Sequence, residues 1–146
     1  MKVERAARLL GSALSLVIVA SGCGDDGASE PVCVELPDTC SPGFTPNWDG
    51  VFSVIEQRCG GSAGTSCHGP QGRNGNLVLY EKAIAYDALL GMDGTHPRVE
   101  PTDAKCSVLM ERLTTDDPDR RMPLRGSLTD SQICAIQQWI EQGANP

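Results

Sequence analysis

Aromatic residues are scarce in this chain: two Phe, two Trp and two Tyr make up 4% of 146 residues. With so little bulk, a small core needs cross-links or a bound group to hold it together. Histidine is scarcer still, represented only by His68 and His96. Basic residues are outnumbered, 12 against 19 acidic, for a formal charge of −7. An acidic surface repels nucleic acid and anionic lipid headgroups, so neither is expected as a partner. No glycine-rich phosphate loop leads into a helix, and no Gly-x-Ser-x-Gly occurs. Nothing in the spacing ties Ser, His and acid residues into a catalytic set. Long alternating strand patterns and internal repeats are also missing. These absences remove the common hydrolase and nucleotide-binding designs, and the chain is expected not to be an enzyme.

The apolar run from Leu9 to Ala20 is too short to span a bilayer as a stop-transfer helix. It follows Lys2, Arg5 and Arg8 and precedes the small residues Ala20, Ser21 and Gly22, which makes residues 1–22 a three-part secretory signal. Ala20-Ser21-Gly22-Cys23 resembles a bacterial lipobox, with Ala20 where Leu is usual. That resemblance implies cleavage before Cys23 and a lipid on its sulfur, so the membrane is an expected partner through the lipid. Gly24 stands where an Asp would retain a lipoprotein in the inner membrane of some bacteria. The expected location is therefore the outer membrane, with the domain in the periplasm or at the cell surface. Losing Lys2, Arg5, Arg8 and Glu4 with the leader leaves nine basic and eighteen acidic residues.

Six cysteines follow Cys23: Cys33, Cys40, Cys59, Cys67, Cys106 and Cys134. In an oxidising compartment an even number reads first as disulfides, though spacing alone does not choose the connectivity. Cys33 and Cys40 flank a short Pro-containing loop and are expected to pair locally. Cys106 and Cys134 are expected to join two helices. A zinc site on Cys59, Cys67 and His68 fits no usual ligand spacing and is disfavoured.

Residues 23–46 are rich in Pro, Gly, Ser and acid, which predicts a flexible tether with a local disulfide; residues 47–146 form the folded domain. Asn47 or Asp49 caps a first predicted helix over Val51 to Arg58. Residues 59–67 make a glycine-rich loop, Asn76 to Tyr80 a short extended piece, and Glu81 to Leu90 a second helix ended by Gly91. Asp103 caps a third helix carrying Val108, Leu109, Met110 and Leu113. Thr129 caps the last, with Gln132 at the capping-box position and Leu128 and Ile133 placed as a staple. Ile133, Ile136 and Ile140 make its apolar face, Trp139 beside them is read as core, and Gly143 ends it. The fold class is mostly α, with three or four short helices, long loops and disulfide staples.

Cys67-His68-Gly69 follows the first helix, and Met122-Pro123 precedes the last. A neutral imidazole and a thioether on opposite sides of a flat pocket are the axial pair of a low-spin haem iron. The soft sulfur favours ferrous iron and raises the potential. The order VFSVIEQRC, SCHG, GNLVLYEKAIAYDALLG, RVEPTDAKCSVLMERL, RMPL and LTDSQICAIQQWIEQGA resembles the short c-type cytochrome domain of exported bacterial lipoproteins, over about residues 48–145. The resemblance implies a cytochrome c-like fold in which the first and last helices cross. It implies His68 as the proximal ligand, Met122 as the distal one, and Cys59 and Cys67 as thioether sites for one haem c. The function it implies is membrane-anchored electron transfer, with a basic redox protein as the partner suited to an acidic carrier.

One departure stands out. The family spaces its two cysteines as Cys-x-x-Cys-His, whereas seven residues separate Cys59 from Cys67 here. Three states are compatible with that interval: haem on both cysteines, haem on Cys67 alone, and a haem-free scaffold with Cys59 and Cys67 oxidised to a disulfide. The last would make the chain a surface binding or structural lipoprotein. His96, before Pro97, reads as a turn residue. Arg120 and Arg121 beside Met122 read as solvated charges, with haem propionates as their alternative partners.

Overall fold

In the computed structural model, residues 33–60, 67–71 and 74–146 are described. The leader, Cys23, Gly24 and the middle of the glycine-rich loop lie outside the described residues. Four α-helices carry the fold: α1 (Trp48–Ile55), α2 (Lys82–Leu89), α3 (Val108–Thr114) and α4 (Asp130–Glu141). Among the described residues there is no strand, only an isolated bridge between Glu100 and Asp103. None of the described helices is long and apolar enough to cross a membrane. The architecture is that of a small, mostly α domain, consistent with the cytochrome c-like class that the sequence resemblance implies.

Asn47 opens α1, its side chain accepting from the Gly50 N–H at 2.9 Å. The helix then widens into a π turn over Glu56–Gly60, which carries Cys59. Thr129 and Gln132 form the expected capping box on α4. Gly91 and Gly143, at φ +70° and +97°, take the left-handed conformation just past α2 and α4 that side chains resist. The third helix differs from expectation at its start: Ser107 is its N-cap, and Asp103 instead accepts from the Cys106 N–H at 3.1 Å in the turn before it.

α1 packs on α4, and the scarce aromatics are concentrated there. Trp48 stacks on Trp139 with ring centroids 5.3 Å apart, and meets Tyr86 edge-on at 5.3 Å and Phe52 at 5.6 Å. Such pairs add about 0.5–1.5 kcal/mol each beyond the area they bury. Trp139 is buried, and its indole N–H donates to the Asn145 carbonyl at 2.8 Å. Val51, Ile55, Leu89, Met110, Ile136 and Ile140 complete the core.

The disulfides correct two expectations. Cys33 does not pair with Cys40, nor Cys106 with Cys134; the bonds are Cys33–Cys106 and Cys40–Cys134. Residues 33–46 are accordingly part of the folded body rather than tether. Val34 N–H donates to Lys105 O, Gly43 N–H to Ser131 O, and the Gln137 side chain to Pro37 O. Leu36 is buried and Phe44 packs on the core. Proline and acid made this segment look like linker, but the covalent staples supply what its composition lacks. The bonds span separations of 73 and 94 residues. Each would contribute about 4 kcal/mol in the chain-entropy account, and their overlapping loops make the sum smaller than twice that.

Candidate functional site

Where the π turn after α1, the segment following Cys67, and α3 come together, they leave a cavity of about 350 Å³. That volume lies in the range of small-molecule sites, about 300–1,000 Å³. Its walls are Leu77, Leu79, Leu89, Val108, Leu109 and Leu113, with Cys59, His68, Arg98, Arg112 and Met122 supplying the chemistry. His68 and Met122, far apart in sequence, thus border one space.

The backbone of His68 is pinned on both sides. Its N–H donates to the Cys59 carbonyl at 3.1 Å, and its own carbonyl accepts from Leu79 N–H at 2.7 Å. Asn74 N–H holds the Cys67 carbonyl at 3.0 Å. The ring is buried, with Nδ1 3.3 Å from the Leu77 carbonyl. A carbonyl can only accept, so Nδ1 carries the proton in that bond. Burial pushes the imidazole pKa below its ordinary 6.5; hydrogen bonding to the Leu77 and Asn74 backbone opposes the shift, and the Arg98 charge adds to it. The net shift is downward and favours a neutral ring, the form that binds a metal.

Met122 sits on the loop after α3. Its N–H donates to the Arg112 carbonyl at 2.7 Å, and the Met122–Pro123 peptide is cis. The loop is tied down by Glu111, a buried carboxylate paired with Arg120 at 2.8 Å and Arg112 at 3.3 Å. Arg120 is therefore paired with a buried carboxylate while its own side chain stays 42% exposed, and neither it nor Arg121 lines the cavity. His96 is exposed and is not part of the lining, as its place in a turn suggested.

Cys59 and Cys67 are free thiols. Cys59 lines the cavity, and its pKa is pushed up to about 11, first by burial and then by Cys67, with Arg58 pulling the other way. Cys67 is exposed and is not among the lining residues. Among the described residues no group of three His, Cys, Asp or Glu side chains is placed to hold a metal ion. Arg98 and Arg112 were not identified from sequence. Both are single arginines in mixed segments, and only the tertiary path of the chain turns them toward the cavity.

Residues 65–125 match the family model described as Planctomycete cytochrome C. The matched segment holds Cys67, His68, α2, α3 and Met122, and supports a cytochrome c-like domain. No curated protein and no solved structure matches the chain.

Proposed function

We propose that this chain is an exported, lipid-anchored electron carrier holding one haem of the c type between His68 and Met122. The observation that carries the reading is that these two residues line one cavity whose walls are otherwise mostly apolar, with Arg98 and Arg112 also on its lining. The donor set suits the group: a neutral imidazole and a thioether are the axial pair of an electron-transfer haem, and a cavity-facing thiol is available for attachment. When bound, the haem would supply a ferric–ferrous couple.

The chain's own residues shape that chemistry. Leu77 O fixes the His68 tautomer and ring orientation, as outer-shell carbonyls do for metal-ligating histidines. The Met122 sulfur favours the reduced state. Leu77, Leu79, Leu89, Leu109 and Leu113 exclude water and keep the surroundings of low polarity. Cys59 and Cys67 would hold the group through thioethers. The lipid on Cys23 would keep the domain at the membrane, and the acidic exterior suits a basic redox protein through weak, salt-sensitive encounters. No substrate is transformed.

The test is a visible spectrum of the full chain expressed in an exporting host with haem-attachment machinery. A Soret band that survives acid-acetone extraction is expected, and His68→Ala should abolish the low-spin absorption. A colourless protein would sink the proposal and leave the haem-free, disulfide-stapled scaffold.

A further inference from the structure

Two guanidiniums line the cavity, and they differ in one respect. Arg112 shares the buried Glu111 carboxylate with Arg120, at 3.3 and 2.8 Å. Arg98 makes no ion pair among the described residues. The nearby acid, Asp93, accepts from the Thr95 N–H and hydroxyl at 3.0 and 2.6 Å, and the Arg98 charge acts on it only as a smaller influence, without an ion-pair contact.

Arg98 is nonetheless held firmly. Its Nη1 donates to the His96 carbonyl and to Thr95 Oγ1 at 3.4 Å, and its Nη2 donates to the Gly75 carbonyl at 3.0 Å. All three acceptors are neutral. A guanidinium has five N–H donors, so Nε–H and one Nη2–H remain without an acceptor among the described residues. The side chain is half-buried on an apolar wall, where an uncompensated charge is costly. A fixed cation with two spare donors is suited to a carboxylate, which it can bind in bidentate fashion.

We infer that Arg98 receives a carboxylate of the molecule that fills the cavity. On the haem reading, on which this inference rests, that carboxylate is a propionate. Arg98 is then a positioning residue: it fixes how the ring enters between His68 and Met122, while Arg112 and Arg120 stay committed to Glu111.

The experiment titrates full-length apoprotein, with its disulfides formed, against ferric haem and against ferric haem dimethyl ester, which lacks ionised carboxylates. Wild type should bind the diacid more tightly than the diester by about ten- to a hundredfold, the worth of hydrogen bonds to a charged group. Arg98→Gln should erase that preference while leaving diester affinity close to wild type, and Arg98→Lys should restore part of it. Equal affinity for the two porphyrins in wild type, or a preference unchanged by Arg98→Gln, overturns the inference and leaves the haem reading standing. Failure of both porphyrins to give a low-spin spectrum would fell the haem reading, and this inference with it.

Discussion

The backbone N–H of His68 donates to the carbonyl of Cys59 at 3.1 Å. This bond closes the base of the glycine-rich loop and brings the backbone on either side of it together despite the seven residues between the two cysteines. A long insertion costs little extra closure entropy once its ends are fixed. Cys59 thus faces the cavity beside His68, Cys67 faces solvent, and the linear motif that attachment machinery would read is lengthened.

Deleting residues 61–65 should therefore raise covalent haem occupancy severalfold. The deletion leaves Cys59-Gly60-Ser66-Cys67-His68, restoring the short spacing. Gly60 is kept because a Cβ there would lie 1.9 Å from the Leu79 carbonyl, which no small adjustment relieves. Mass spectrometry of the exported protein, comparing the +haem fraction in wild type and deletion, decides the matter. Equal fractions would show that spacing does not limit attachment.

Replacing Met122 by Ala should leave the haem covalently attached but remove the sixth ligand. The spectrum should turn high-spin, and the reduction potential should fall, since the thioether's preference for ferrous iron is gone. Protein-film voltammetry alongside the oxidised spectrum is the check. A low-spin spectrum with unchanged potential would remove Met122 from the site.

Breaking the Cys40–Cys134 bond with Cys134→Ser should lower unfolding free energy by about 2–5 kcal/mol. The loss should be read from urea unfolding without reductant. It should leave the His68 environment intact, because neither Cys40 nor Cys134 lines the cavity. Peptide mapping should recover Cys33 with Cys106 and Cys40 with Cys134. A Cys33–Cys40 peptide would contradict the fold.

The apoprotein should lose stability on mild acidification through His68. Its folded pKa lies below 6.5, so above pH 6.5 the ring is neutral folded or unfolded and costs nothing. Below that value the unfolded chain takes up a proton that the buried ring resists, and unfolding is favoured until pH falls through the folded pKa. Urea midpoints at pH 7.5 and pH 5.5, compared between wild type and His68→Gln, isolate this contribution. A wild-type midpoint that falls no more steeply than the variant's would show that the ring is not held neutral.

Much of this was legible from residue order. Caps at Asn47 and Thr129 and stops at Gly91 and Gly143 are local chemistry, and they stand where spacing put them. His68 and Met122 were found as a pair because each sits beside a distinctive neighbour, Cys67 and Pro123. The disulfides were not legible, since cysteine spacing carries no information about which sulfurs meet across a fold. With their partners misjudged, residues 33–46 looked unfolded. Arg98 was hidden for a related reason: its importance lies in facing the cavity with no ion pair among the described residues, a property of three-dimensional surroundings alone.

The two free thiols should differ sharply in reactivity in the apoprotein. Burial holds the Cys59 thiol at about 11, so at pH 8 only about a thousandth of it is thiolate, the form that attacks an alkylating agent. Cys67 is exposed and meets reagent freely. Iodoacetamide at pH 8 should therefore mark Cys67 at least about tenfold faster than Cys59, and Cys59 labelling should climb as pH approaches 11. Arg58 lowers the Cys59 value, so Arg58→Gln should slow its labelling further. Time-resolved peptide mass spectrometry gives both rates. Equal rates at pH 8 would mean that the Cys59 sulfur faces solvent, and a sulfur facing solvent does not face a haem in the cavity.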